Sequence, residues 1–229
     1  MGENPEQMSE RSGLVALGDS ITYGEGGIVL GVDGRSWALW LAQALDVPYT
    51  NYAVCGARAP DVLTDQLPRV QRPYDIGVLY IGVNDVRDPG FDPAAYNRDV
   101  RRAAEELAPR CTRLLLLTIP LDLGRPRAGA RVGAANGSIR AAAAAAGATV
   151  VALDDLGGWR HVLPDAVHAT ALGQLEIADR AARALGISVL PSACTPPKSE
   201  RRAVASFGLG WSRQWLGEAW RRKRERRSP

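Results

Sequence analysis

Two short segments, far apart in the chain, carry residue types that could act together as a nucleophile and its base. Ser20 follows the apolar run 14–17 in the sequence Gly-Asp-Ser-Ile-Thr, and Asp165 stands three residues before His168 in Pro-Asp-Ala-Val-His. A serine hydroxyl becomes a strong nucleophile when a histidine takes its proton, and a carboxylate that fixes the tautomer of the imidazole improves that base. The three residue types together predict acyl transfer, with one loop delivering Asp165 and His168 to a distant serine.

Two further loops carry groups that could donate hydrogen bonds to the oxyanion of a tetrahedral intermediate. Gly56 follows the second strand-like run of the chain, and Asn84 follows the third. A glycine N–H and an asparagine amide are suited to stabilising negative charge on a former carbonyl oxygen. Each of these patterns alone also fits an ordinary turn or loop, so the prediction depends on their occurrence together.

The four segments, in this order, resemble the sequence blocks of the SGNH hydrolases, the GDSL-type lipases and esterases. They are Gly18-Asp19-Ser20 with Ile21 in place of leucine, Gly56, Gly82-Val83-Asn84-Asp85 and Asp165-Ala166-Val167-His168. The resemblance implies a Ser20 nucleophile, a His168 base and an Asp165 that orients the imidazole. It also implies an oxyanion hole formed by the N–H groups of Ser20 and Gly56 and by the Asn84 side chain. One departure is Ala169, because a proline often follows the histidine of the family.

Short β-type runs alternate with helical stretches, which predicts a parallel sheet with crossover helices. The predicted strands lie near 14–17, 49–52, 76–81, 114–119 and 149–152, and the predicted helices near 36–45, 60–67, 93–107, 132–146 and 170–185. The expected fold is α/β, a three-layer α/β/α sandwich with a five-stranded parallel sheet of the flavodoxin-like SGNH type. Ligands bind at the carboxyl ends of the strands in such sheets, where Ser20, Gly56 and Asn84 are expected to lie.

The chain has the composition of a soluble globular protein: 229 residues, 46% hydrophobic and 23% charged. We divide it into a flexible N-terminus (1–12), a hydrolase domain (13–187), a linker (188–200) and a basic aromatic tail (201–229). The polar N-terminus has no features of a secretory signal, and no apolar run approaches the ~20 residues of a membrane helix. Cys55, Cys111 and Cys194 cannot all pair and lack metal-ligand spacing, which favours reduced thiols and a cytoplasmic location.

The charge is distributed unevenly along the chain. The net charge of +3 divides into +7 from Lys198 onward and −4 before it. Apolar side chains recur at helical spacing in the tail, ahead of an arginine-rich end: Val204, Phe207, Trp211, Trp215 and Ala219. This pattern suits a peripheral position on an anionic membrane surface. Packing on the body, disorder and non-specific contact with nucleic acid are the competing interpretations, and we expect no specific nucleic-acid partner.

The sequence therefore predicts a serine hydrolase that cleaves carboxylic esters of lipids, sugars or small alcohols through an acyl-enzyme on Ser20. Its partner is a small-molecule ester, and we expect no metal ion and no organic cofactor. The alternative is an inactive hydrolase-like module whose basic aromatic tail binds an anionic membrane surface. The complete set of reactive residue types favours the enzyme. Activity should fall on acidification, because a protonated His168 cannot accept the serine proton.

Overall fold

Five parallel strands form one sheet in the computed structural model, which describes residues 13–24 and 32–194. The strands are β1 (Leu14–Gly18), β2 (Tyr49–Asn51), β3 (Tyr74–Tyr80), β4 (Cys111–Leu117) and β5 (Thr149–Val151). Their order in the sheet is β2-β1-β3-β4-β5, with every neighbouring pair parallel. The predicted five-stranded parallel sheet is confirmed. β4 begins earlier than predicted because Thr112 and Arg113 are exposed and give no apolar signal.

Seven α-helices are found in the part of the chain that the structure describes. They are α1 (Ser20–Tyr23), α2 (Trp37–Ala44), α3 (Ala59–Asp61), α4 (Val83–Arg87), α5 (Pro93–Leu107), α6 (Ala130–Ala146) and α7 (Ala171–Ala184). A π-helical turn (Val62–Gln66) and a 3-10 turn (Leu67–Arg69) continue α3. The five predicted helices are all present. The sequence did not predict α1 and α4, because such short helices show no periodic apolar pattern.

Side-chain caps and a glycine determine where the longer helices begin and end. The side chain of Asp92 accepts a hydrogen bond from the Ala94 N–H at 2.8 Å and caps α5, whose first residue is a proline. Thr170 caps α7 in the same way. Gly147 ends α6 with a φ of +66°, a left-handed conformation that glycine adopts without penalty. These caps fix the lengths of the crossover helices that connect the strands.

Helices cover both faces of the sheet. Helix α2 packs against α7, and α5 packs against α6. All five residues of β1 are buried, as expected for a central parallel strand with helices on either side. The three-layer α/β/α architecture expected from the sequence is confirmed, and it places the carboxyl ends of β1, β2 and β3 side by side.

The predicted chain ends are described only in part. The predicted flexible N-terminus (1–12) and basic aromatic tail (201–229) lie outside the described residues. Within the predicted linker, a 3-10 turn (Pro191–Cys194) contacts α7, where Ser192 donates from its backbone N–H and its hydroxyl to Asp179 at 2.9 and 2.6 Å. Across residues 13–24 and 32–194, no helix has both the length and the apolar character needed to cross a membrane.

Candidate active site

The turn that presents Ser20 starts at the last residue of β1, Gly18. Its φ is +153°, and a Cβ atom there would lie 2.3 Å from the carbonyl oxygen of Tyr80, so only glycine fits. Asp19 follows and caps α1, since its Oδ1 accepts a hydrogen bond from the Ile21 N–H at 3.0 Å. Ser20 is therefore the first residue of a short helix, where backbone N–H groups have no partner within the helix.

Two buried glutamines hold this turn, and the sequence analysis identified neither. Gln66 accepts from the Gly18 N–H and donates to the Gly18 carbonyl, both at 2.9 Å. Gln174 of α7 donates to the Ile21 carbonyl and accepts from the Trp37 N–H, again at 2.9 Å. Hydrogen bonds in a buried, low-dielectric environment fix the backbone strongly. The nucleophile is thus positioned from both sides, and a glutamine in a helical stretch gives no sequence signal for such a role.

The structure brings Ser20, His168 and Asp165 together. Ser20 Oγ lies 3.0 Å from His168 Nε2, and His168 Nδ1 lies 2.6 Å from Asp165 Oδ2. The other carboxylate oxygen, Oδ1, accepts the backbone N–H groups of Val167 and His168 at 2.9 and 3.1 Å. With the Nδ1 proton held by Asp165, Nε2 is left as the acceptor for the serine hydroxyl.

The same contacts keep Asp165 ionised. Burial alone would raise the pKa of this carboxyl, but hydrogen bonds from the His168 ring and from the Val167 and His168 N–H groups outweigh burial and bring the pKa below its ordinary value. A carboxylate is needed here, because only the ionised form both orients the imidazole and stabilises it once it has gained a proton.

Backbone hydrogen bonds hold the loop between β5 and α7 in place at several points around His168. The Leu163 N–H donates to the His168 carbonyl at 2.8 Å, and the Gly124 N–H donates to the Ala166 carbonyl at 2.7 Å. Ala166 has a φ of +55°, a conformation that costs a residue with a Cβ atom about 1–3 kcal/mol. The surrounding hydrogen bonds hold this strained residue in the middle of the Asp165–His168 segment.

The loop that carries Gly56 and the short helix α4 that carries Asn84 lie on either side of the Ser20 turn, because β1 pairs with both β2 and β3. The Val54 N–H donates to the Gly18 carbonyl at 3.1 Å, which joins the Gly56 loop to the nucleophile turn. Asn84 Nδ2 donates to the Ala57 carbonyl at 3.0 Å, which joins α4 to the Gly56 loop. Gly56 itself is exposed, with a φ of +80°.

Asp19 is a buried carboxyl beside the nucleophile. It is fully buried, and its Oδ2 has no hydrogen-bond partner. Burial raises the pKa of Asp19 to about 7, although the Ile21 N–H and the charge of His168 oppose the increase. Burial likewise raises the pKa of Asp85 in α4 to about 6, against hydrogen bonds that include one from the Ala59 N–H.

Replacing Asp19 with asparagine should stabilise the fold at alkaline pH. A carboxyl whose pKa rises from 3.8 to about 7 on folding keeps its proton in the folded state while the unfolded state loses it. Its presence therefore lowers the free energy of unfolding as the pH rises between these values, by about 4 kcal/mol in all. Asparagine retains the N-cap acceptor and carries no charge. Urea titrations should give a more stable Asp19→Asn variant at about pH 8 and no difference near pH 4.

The matched control for this experiment is Asp65→Asn, at an exposed position in the π-helical turn. It should not reproduce the gain in stability at about pH 8, because the carboxyl group that it removes is exposed to water. Identical pH profiles of stability for the parent and for Asp19→Asn would show that Asp19 is ionised as easily in the folded protein as in the unfolded chain.

A comparison with protein families gives a match to the GDSL-like lipase/acylhydrolase family over residues 16–175, well over half of the chain. The chain belongs to this family. Membership of the GDSL-like lipase/acylhydrolase family confirms the resemblance drawn from the sequence and the assignment to SGNH/GDSL-type esterases or lipases. The matched residues include every predicted site residue. A comparison with curated proteins found no match.

Solved structures of GDSL-like and related hydrolases share the fold. The acetylxylan esterase Axe2 from Geobacillus stearothermophilus is 16% identical over 79% of this chain and 98% of its own, with a TM-score of 0.63. LAE5, an alpha/beta hydrolase enzyme from the metagenome of Lake Arreo in Spain, is 20% identical over 76% of this chain and 95% of its own, with a TM-score of 0.62. At these identities the similarity establishes the fold and leaves the substrate open.

Proposed function

We propose that this protein hydrolyses carboxylic esters through an acyl-enzyme on Ser20. The observation that supports the proposal is the continuous set of contacts from Ser20 Oγ to His168 Nε2 at 3.0 Å and from His168 Nδ1 to Asp165 at 2.6 Å. His168 takes the serine proton as Oγ attacks the carbonyl carbon, and Asp165 stabilises the imidazolium that forms. The imidazolium then gives this proton to the leaving alkoxide, and a water molecule releases the acyl group by the same steps.

The N–H groups of Ser20 and Gly56 and the Asn84 amide form the oxyanion hole in this proposal. An asparagine amide has two hydrogens. One of them is used at the Ala57 carbonyl, at 3.0 Å, which fixes the plane of the Asn84 amide. The second remains for the substrate. Donors fixed before the reaction stabilise a developing negative charge without a reorganisation cost.

The proposal extends to the class of ester that the protein cleaves. Lipid esters, sugar esters and esters of small alcohols are all compatible with this machinery. The similarity to Axe2, an acetylxylan esterase by name, supports carbohydrate esters as one candidate class. The alternative of an inactive module on an anionic membrane depends on the tail at 201–229, outside the described residues. The aligned Ser20, His168 and Asp165 support the enzyme instead, and the cytoplasmic location stays a prediction.

A phosphonate ester, which mimics the tetrahedral intermediate, tests the acyl-enzyme proposal directly. Peptide mass spectrometry of the labelled protein should place one adduct on Ser20. The His168→Ala variant should react far more slowly, because no base then activates the hydroxyl. Ser138→Ala, a change on α6, should label at the rate of the parent. Labelling at another residue, or turnover of chromogenic esters with no adduct, would refute the proposal.

A further inference from the structure

The hydrogen bond between Ser20 and His168 joins two elements that are far apart in the sequence. Ser20 is the first residue of α1, and His168 lies just before Thr170, the N-cap of α7. The distance of 3.0 Å between Ser20 Oγ and His168 Nε2 therefore depends on how α7 is placed against α1. A displacement of about 1 Å between reacting groups can lower a rate about a hundredfold. A contact that fixes α7 against α1 would therefore control the proton transfer.

Gln174, in the first turn of α7, makes such a contact. Its Nε2 donates to the Ile21 carbonyl in α1 at 2.9 Å, and its Oε1 accepts from the Trp37 N–H, at the start of α2, also at 2.9 Å. The last carbonyl groups of a helix and its first N–H groups have no partner within the helix. One side-chain amide thus satisfies a group at the end of α1 and another at the beginning of α2, and it joins both to α7.

The first turn of α7 is itself joined closely to the His168 segment. The Gln174 N–H donates to the Thr170 carbonyl at 2.8 Å, and the Thr170 N–H donates to the His161 carbonyl at 2.9 Å. A Cβ atom at Gly173 would lie 1.9 Å from the His161 carbonyl oxygen, so α7 packs directly on the backbone of this loop. The Gln174 side chain is 1% exposed, and hydrogen bonds in such a low-dielectric environment resist displacement.

We propose that Gln174 is a positioning residue that sets the separation between the Ser20 hydroxyl and the His168 ring. The inference rests on the proposed ester hydrolysis at Ser20. Gln66 differs from Gln174, because both of its hydrogen bonds go to Gly18, on the nucleophile side alone. Loss of the Gln174 amide should therefore weaken the proton transfer from Ser20 to His168.

The test is a double-mutant cycle of Gln174→Met and His168→Ala, measured as the rate of phosphonate labelling at Ser20. Methionine has nearly the length of glutamine and lacks the amide. In the parent background, Gln174→Met should lower the labelling rate about ten- to a hundredfold, because the base is displaced from the hydroxyl. In the His168→Ala background, it should lower the rate less than about twofold, because no base remains to be displaced. General damage to the fold would slow labelling equally in both backgrounds.

Gln43→Met makes the same change at an exposed position on α2 and should keep the rate of each background. Thermal unfolding curves show whether the variants are folded. If Gln174→Met is not, Gln174→Asn takes its place, because it keeps an amide that is too short to reach both partners. Equal losses in the two backgrounds, or a parental rate in a folded Gln174 variant, would overturn the positioning proposal and leave acyl transfer at Ser20 intact. A parent that is not labelled at Ser20 would overturn both proposals.

Discussion

Replacing Ser20 with alanine should lower kcat for a chromogenic ester by about a millionfold, the size of effect seen when the nucleophile of a serine hydrolase is removed. The substitution deletes the oxygen that attacks the carbonyl carbon, and the remaining groups can only bind the substrate. Ser20 is 7% exposed and loses a single atom, so the fold should be unaffected. Initial rates with p-nitrophenyl esters, together with thermal unfolding curves, measure both quantities.

The control for this experiment is Ser138→Ala, which removes a hydroxyl that donates to the Ala134 carbonyl within α6. Its rates should match those of the parent. If Ser20→Ala retained the parental rate, another nucleophile would have to be sought. If the parent itself bound esters without turnover, the inactive membrane-associated module would become the better account.

Asn84→Ala should lower kcat by about a hundred- to a thousandfold, as expected for the loss of one oxyanion donor. The effect should fall mainly on kcat, with KM little changed, because the amide is proposed to meet its full negative charge only in the transition state. The variant also loses the hydrogen bond from Asn84 Nδ2 to the Ala57 carbonyl, at 3.0 Å. A small loss of stability of about 1 kcal/mol should therefore accompany the kinetic effect.

Asn97→Ala makes the same substitution at an exposed position on α5 and should retain the parental kcat. Glutamine at position 84 provides a further test, because a longer amide keeps the donor but displaces it. A kcat for Asn84→Ala equal to that of the parent would remove this side chain from the proposed oxyanion hole.

The sequence indicated where the candidate site residues should lie, because three of them follow strand ends. Ser20, Gly56 and Asn84 each come after a predicted strand, and parallel strands bring such positions to one edge of a sheet. Asp165 and His168 are close in sequence, so their mutual contact is local. The long-range contact between Ser20 and His168, 3.0 Å in the structure, required only that one loop reach this edge.

The groups that position the nucleophile could not be predicted. Gln66 and Gln174 are fully buried and bind main-chain atoms of Gly18, Ile21 and Trp37. Their role depends on the register of a π-helical turn and of α7 against the sheet, and such registers arise from tertiary packing. A cavity of about 310 Å³ beneath the His168 loop has the same origin, because residues from α1, β3, α7 and the connection after β4 meet there only in the folded chain.

The two sides of this cavity should differ in how well they tolerate amino-acid substitutions. Val167 and Ala166 belong to the short segment that also fixes His168, and Ala166 already adopts a strained backbone. Changes on that side would disturb the base together with the pocket. Pro120 and Asp122 come from the connection between β4 and α6, which carries none of the proposed reacting groups. The connection between β4 and α6 should therefore tolerate substitutions that the Asp165–His168 segment does not.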